Sequence, residues 1–292
     1  MTRTEDDLEE PGLSSPEGLA ARIEGLGDAD IEADIIRIGV DRALGQVFET
    51  MAGRFLPDRA AGEQAVIEWD LQGPDGSCPH HLTIDGGRCA HAKGRATAPR
   101  VTLQASIPTF LRIVAGRLSG LQAFSTGALQ VTGDRVLALR QQLWFDVDLS
   151  QAEIRISTPS ELARLLDGRS DDEIEAGVAL NGIDRTLEKV FQGMVDHFLP
   201  RRAGRKPAAI EFRIRSTQGD RTYQFVAARG GARYHAGQVE RPNVKIHVAF
   251  PDFLRMIAGR LHGIKAFAQG KIKVRGNLLL ARKIEGWFDR SR

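Results

Sequence analysis

The chain has 292 residues, enough for two domains of ordinary size, and its 42% hydrophobic and 27% charged content is that of a globular protein. No apolar run approaches the ~18 residues a membrane span requires, and the first eleven residues are polar and acidic (Asp6, Asp7, Glu9, Glu10) where a secretory signal needs an apolar stretch. The formal charge of +2 conceals an asymmetry: residues 1–149 hold 14 Lys/Arg against 22 Asp/Glu, and residues 150–292 hold 26 against 16.

These features predict a cytoplasmic protein with a disordered acidic tail over 1–13. The acidic and basic halves are candidates for mutual contact, and the basic half for contact with an anionic membrane surface. The two cysteines, Cys78 and Cys89, are too few for a disulfide framework and are expected reduced.

A repeat organises the rest. Shifted by 143 residues, the sequence lies on itself without a gap: Phe55-Leu56-Pro57 on Phe198-Leu199-Pro200, Phe110-Leu111-Arg112 on Phe253-Leu254-Arg255, Ala115-Gly116-Arg117-Leu118 on Ala258-Gly259-Arg260-Leu261, and Trp144-Phe145-Asp146 on Trp287-Phe288-Asp289. About a third of the aligned positions are identical. So long a period is a duplicated domain rather than a solenoid repeat. The first domain is expected over 14–149 and the second over 157–292.

In the second copy, Ser160 and Asp171 read as N-caps of two short helices, 161–166 and 172–180. A long helix follows from about Asp184 to Leu199. Its apolar stripe of Ile183, Leu187, Val190, Phe191, Met194, Val195 and Phe198 covers a core, and Pro200 ends it. Strands are predicted over 208–216, 221–228, 232–237 and 244–250, with antiparallel pairing as a meander. Pro251 opens a helix to about Gly259, and a short one follows over 264–268. Residues 271–275 alternate Lys, Ile, Lys, Val, Arg, as a strand with one buried face does, and Asn277 caps a last helix. Helix, four strands, helices, strand, helix is an α+β order.

That order, with Gly259-Arg260-Leu261 and the segment Ala266-Phe267-Ala268-Gln269-Gly270-Lys271-Ile272-Lys273-Val274-Arg275-Gly276-Asn277, resembles the sterol carrier protein type 2 (nonspecific lipid-transfer protein) family. The likeness covers about 38–148 and 181–291. The first copy departs from it: Ala128 and Gln130 replace the two lysines and Asp134 the asparagine. The resemblance implies two tandem domains, each a mostly antiparallel five-stranded sheet covered by helices around an apolar cavity. It implies binding and transfer of a sterol, fatty acid or acyl thioester, with no catalytic group, metal or cofactor. The alternative is a non-catalytic scaffold for an enzyme of lipid or isoprenoid metabolism, its cavities filled by its own side chains.

The candidate ligand-binding walls are the large side chains on helices facing the sheet: Phe191, Met194, Phe198, Phe253, Met256, Ile257, Leu261, Phe267 and Trp287 in the second copy, and Phe48, Met51, Phe55, Phe110, Ile113, Val114, Leu118, Phe124 and Trp144 in the first. Each of these positions suits plain core packing as well. The second copy, nearer the family pattern, is the better candidate for loading.

Lys271, Lys273 and Arg275 are expected on an outer strand face, where they protect an edge or meet an anionic headgroup. Arg201, Arg202, Arg205 and Lys206 form a basic loop without interleaved aromatics, which argues against nucleic acid. Cys78 with His80, and Cys89 with His91, share strand faces and suggest a zinc site. The matching Arg221, Tyr223, Ala232 and Tyr234 speak instead for an aromatic-sized position. The shared Asp41/Asp184 is expected in a helix's first turn, and the shared Glu68/Glu211 on an exposed strand face.

Overall fold

The computed structural model describes residues 10, 12–148, 158–179, 182–204, 206–238 and 241–288. The chain divides into two compact units, Met1–Ile154 and Arg155–Arg292. The inter-domain boundary, Arg205 and most of the expected acidic tail lie outside the described residues. At the end of that tail Glu10 accepts Gln46 Nε2 on its carbonyl at 3.2 Å, and Leu13 is buried in the domain 1 core. Residues 10 and 13 are therefore part of the fold, because a leucine 1% exposed is held by the apolar contacts around it.

Domain 1 runs α1 (Pro16–Arg22), α2 (Asp28–Ile38), α3 (Val40–Gly53), α4 (Pro57–Ala60), β1 (Ala65–Gly73), β2 (Gly76–Asp85), β3 (Arg88–Lys93), β4 (Val101–Ser106), α5 (Ile107–Val114), α6 (Gly120–Thr126), β5 (Leu129–Gly133) and α7 (Arg135–Arg140). Domain 2 repeats the order as α8 (Pro159–Leu166), α9 (Asp171–Ala179), α10 (Ile183–Asp196), β6 (Ala208–Arg215), β7 (Arg221–Ala228), β8 (Gly231–Ala236), β9 (Val244–Ala249), α11 (Phe250–Ile257), α12 (Gly263–Ala268), β10 (Ile272–Gly276) and α13 (Leu278–Ile284), with a short 3-10 turn in place of α4.

Each sheet has five strands, in the orders β3-β2-β1-β4-β5 and β10-β9-β6-β7-β8. The meander expectation holds for the first three strands of each domain and fails at the fourth. β4 pairs β1 in parallel, Ile67 opposite Val101, and β9 pairs β6 likewise, Ile210 opposite Val244. Every other pairing is antiparallel, so both sheets are mixed. The β3–β4 connection carries the chain across the hairpin, so pairing of β4 with β1 puts Val101, Leu103 and Ala105 on the buried face.

Local chemistry sets the helix starts. Thr158, rather than Ser160, caps α8 in a reciprocal box with Glu161. Ser170 and Glu173 form the same exchange at α9, which makes Asp171 the first helical residue rather than its cap. Asn277 accepts Leu280 N–H at 2.9 Å and Asp134 accepts Leu137 N–H at 2.9 Å, as expected of caps. α10 ends at Asp196, before the predicted Leu199, because Leu199 N–H has turned to the Trp287 carbonyl at 2.7 Å. The glycine of the Gly-Asn motif has a structural cause: Gly276 sits at φ +93°, where a Cβ would strike the Asn243 carbonyl. Gly133 repeats this against Arg100.

α3 lies over β2 and β3 with Leu44, Val47, Phe48 and Met51 buried, and α5 over β1 and β4 with Phe110, Leu111, Ile113 and Val114 buried. One sheet face thus meets the helices in each domain and carries its core.

Candidate ligand cavity

In domain 1 the layer between helices and sheet is incompletely filled. Pro16, Thr50, Met51, Arg54, Trp69, Ile113, Val114, Gln141, Gln142, Phe145 and Val147 line a cavity of about 530 Å³, counting its mouth. The centre of a water molecule can occupy about 40 Å³ of it. That is room for about three waters, so a hydrocarbon chain enters only as the walls move apart. Thr50, Arg54 and Gln142 are the partly exposed polar residues of the wall, so the opening lies on their side. Arg54 is held there by the Asp146 carbonyl at 2.9 Å and carboxylate at 3.2 Å, and Gln142 accepts Gly120 N–H at 3.2 Å.

Two polar atoms in this apolar wall have no hydrogen-bond partner among the described residues: Trp69 Nε1 and Gln141 Oε1. Their residues are 1% and 3% exposed. An unmet buried donor or acceptor costs about 1–3 kcal/mol. The cost is avoidable in this fold, since domain 2 places Phe212 and Ile284 at the two matching positions. The pair is thus a local departure from the domain's packing. No expectation from the sequence included Trp69 or Gln141, although the exchange of Gln141 for Ile284 between copies was a readable signal.

Of the first-copy candidates, Met51, Ile113 and Val114 line the cavity. Phe48, Phe110 and Trp144 are buried beside it as core, with Phe48 stacked on Phe110 at 4.8 Å. Phe55 packs edge-on against Phe145, Leu118 is half-buried, and Phe124 is half-buried under the Arg135 guanidinium at 5.8 Å.

In domain 2, Phe191, Phe198, Phe212 and Phe253 stand where domain 1 has Phe48, Phe55, Trp69 and Phe110, so a ring cluster recurs. Phe191 meets Tyr223 at 4.6 Å, Phe212 and Phe253 at 5.6 Å and Tyr234 at 5.8 Å, and Phe198 meets Phe225 at 6.0 Å and Trp287 at 6.4 Å. Met194 and Leu261 are buried with them, while Met256 and Ile257 are partly exposed. Phe267 is a correction: it is 51% exposed, on the solvent side of α12, whose buried residue is Ala266.

The suspected zinc ligands resolve differently. His80 Nδ1 and His91 Nε2 lie 2.9 Å apart, and both rings stack on Phe48, at 4.7 and 5.1 Å. Tyr223 and Tyr234 stack on Phe191 at the same two positions. The position wants a flat ring. Cys89 pairs with Ile84 and Cys78 with Leu71. Among the described residues no group of three or more His, Cys, Asp or Glu is placed to hold a metal ion. Burial pushes the His80 pKa down to about 4, with the neighbouring His91 and Lys93 acting the same way, and burial also lowers that of His91.

Lys271, its side chain 41% exposed, is paired: its ammonium lies 2.9 Å from the buried Asp252 Oδ1, which Arg255 also approaches at 3.3 Å. Lys273 and Arg275 are on the outer face, as expected. Asp41 and Asp184 occupy helix first turns, paired with Lys93 and Arg221. Glu68 and Glu211 point to the outer sheet face yet are buried, 3% and 0% exposed. Glu68 accepts Ala96 N–H at 2.7 Å and Arg95 at 3.2 Å, and Glu211 accepts Arg213 at 2.8 Å. Neighbouring side chains and the β3–β4 loop cover what strand alternation alone would expose. Arg202 of the basic loop donates to the Gly286 carbonyl at 3.1 Å.

Fold and interior together define a class: tandem α+β modules in which helices close an oily layer against a mixed five-stranded sheet. The chain belongs to the SCP-2 sterol transfer family, whose model matches residues 48–146 and 201–289, more than half of the sequence. It is similar to mouse hydroxysteroid dehydrogenase-like protein 2, 28% identical over 99 residues, which are 34% of this chain and 20% of that protein. The match thus spans about a fifth of that relative's length. Among solved structures, palmitated SCP2L2 from Aedes aegypti is 20% identical over 36% of this chain and 91% of its own, with a TM-score of 0.31. The sec-alkylsulfatase Pisa1 from Pseudomonas sp. is 14% identical over 62% of this chain and 30% of its own, with a TM-score of 0.33. No helix among the described residues is long and apolar enough to cross a membrane.

Proposed function

We infer that this protein is a non-catalytic binding protein whose first domain holds a lipid-like molecule between its helices and its sheet. The observation that carries the reading is the domain 1 cavity, apolar in most of its wall and supplied with one unmet donor, Trp69 Nε1, and one unmet acceptor, Gln141 Oε1. An apolar chain leaving water for such a wall gains ~25 cal/mol per Å². A buried area of ~300–400 Å² then gives roughly 8–10 kcal/mol before the costs of binding and of opening the walls. A head group able both to accept and to donate, such as a hydroxyl or an un-ionised carboxyl, has the chemistry that the two orphan atoms lack. The family membership points the same way.

Domain 2 suits the other reading, a scaffold without a polar anchor in its interior, because Phe212 and Ile284 stand where domain 1 has the unmet Trp69 donor and Gln141 acceptor. Displacement of a fluorescent fatty-alcohol probe tests the function. The wild type should bind it at micromolar concentration. Gln141→Ile, which installs the domain 2 residue, should weaken an alcohol-headed probe about fivefold or more and a headless hydrocarbon probe hardly at all. No saturable binding of either probe would end the reading.

A further inference from the structure

The outer face of the domain 2 sheet carries a feature that domain 1 lacks. Along β6, Glu211 and Arg213 alternate with the core residues Ile210, Phe212 and Ile214, and along β9 Lys245 and His247 alternate with Val244, Ile246 and Val248. The register sets Glu211, Lys245 and Arg275 side by side in one row and Arg213, His247 and Lys273 in the next. Arg213, Lys245, His247 and Arg275, framed by Pro242 and Gly276, line an open cleft of about 580 Å³ counting its mouth.

The charges are arranged rather than scattered. Glu211 lies wholly buried at the base, accepting Arg213 Nε at 2.8 Å and standing 3.3 Å from Lys245 Nζ. It fixes two cationic groups and neutralises one charge. Three permanent cations against one carboxylate leave an excess of two positive charges. Arg275 has no hydrogen-bond or carboxylate partner among the described residues, so its guanidinium fork is open. His247 faces Arg213, Lys245, Arg275 and Glu211 and has Lys273 opposite it on β10; burial first, then Arg213, Arg275 and Lys245, hold its pKa below the ordinary value.

The matching positions in domain 1 are Asp70, Thr102, Gln104 and Thr132, while the framing Pro99 and Gly133 are the same residue types as Pro242 and Gly276. There Arg95 already lies on Asp70, at 3.2 Å. The fold therefore does not require the basic group; four lining positions differ together, on a frame that stays.

We propose that this cleft is a binding site for a phosphate monoester, its dianion balancing the two excess charges and bridging Arg275 to the Arg213 and Lys245 pair held by Glu211. The ester comes either from a soluble phosphorylated compound or from the head group of a lipid such as phosphatidate; the recognising chemistry is one. The site lies on the sheet face away from the helices, in the domain without the described cavity, so it stands or falls independently of lipid binding in domain 1.

The test is an NMR titration of His247 in the full chain, adding inorganic phosphate against chloride at matched ionic strength. A bound dianion favours the imidazolium, so phosphate should raise the His247 pKa by about half a unit or more, saturably. Arg275→Thr places the domain 1 residue on an exposed edge strand that tolerates threonine and should weaken phosphate about tenfold. Lys265→Gln, on the exposed surface of α12 and away from the cleft, should leave affinity within about twofold. A response no larger than that to chloride, or equal losses in both variants, would overturn the proposal, since the second outcome means diffuse surface charge.

Vesicles of phosphatidylcholine with and without phosphatidate separate the sources. Binding that needs phosphatidate and is lost in Arg275→Thr identifies a lipid head group. A phosphate response without vesicle binding identifies a soluble ester. Either result supports the site.

Discussion

His80 and His91 show how one position can satisfy packing by different chemistry. Both rings lie flat on Phe48 where Tyr223 and Tyr234 lie on Phe191. The histidines add a liability the tyrosines lack. Burial holds the His80 pKa at about 4, while His91, Lys93 and His81 oppose its protonation and Asp41 only partly favours it. The unfolded chain protonates a histidine near pH 6.5. Between pH 6.5 and 4 the unfolded state therefore binds more protons than the folded one, and stability falls as pH falls. His80→Tyr combined with His91→Tyr should remove that loss. In urea unfolding of domain 1, the gap between variant and wild type should widen from pH 7 to pH 5. A gap that stays constant would mean the two histidines protonate in the folded domain as readily as in the unfolded chain. The sequence made the site's character readable, because tyrosines stand at both matching positions, but not the 2.9 Å contact, which depends on the β2–β3 register.

At the scale of elements, the helices and strands were legible from periodicity and caps, and the parallel pairing of β4 with β1 was not. Adjacent strands announce a hairpin through their turn; strands separated by a whole hairpin carry no local mark of their partner. The Lys271–Asp252 pair is another non-local feature. It ties the start of β10 to the first turn of α11 by 2.9 Å, with Asp252 6% exposed. Domain 1 has Ala128 and Thr109 in these places, so the charge pair is present or absent as a unit. Lys271→Ala should destabilise domain 2 by about 1–3 kcal/mol, because the buried Asp252 is then left, among the described residues, with Arg255 at 3.3 Å. Asp252→Thr in that background should restore part of the loss. A double-mutant cycle on chemical denaturation reads the coupling, and strictly additive losses would show the two residues to be independent.

Across the whole molecule, one sequence repeat has become two interiors. The sequence placed the better candidate cavity in domain 2, on the strength of its Gly-Lys-Ile-Lys motif, but those lysines sit at the sheet edge and against Asp252 and do not bear on the volume inside. The volume is set by side-chain size and packing, which periodicity does not report. Both domains carry the ring cluster, Phe48, Trp69 and Phe110 in one and Phe191, Phe212 and Phe253 in the other, so the copies differ in the wall beside it, where Ile113, Val114 and Gln141 become Met256, Ile257 and Ile284. If loading follows the gap, the intact chain takes up one ligand, in domain 1. Ile113→Trp brings an indole into the cavity wall and should abolish probe binding. Met256→Trp, the same change 143 residues later, falls on a partly exposed side chain and should leave both affinity and stoichiometry unchanged. Native mass spectrometry of the wild type and both variants counts the ligands directly. Two bound molecules per chain, or equal losses in the two variants, would show that the domain 2 rings part as readily as the domain 1 walls, and that the static gap does not decide which domain loads.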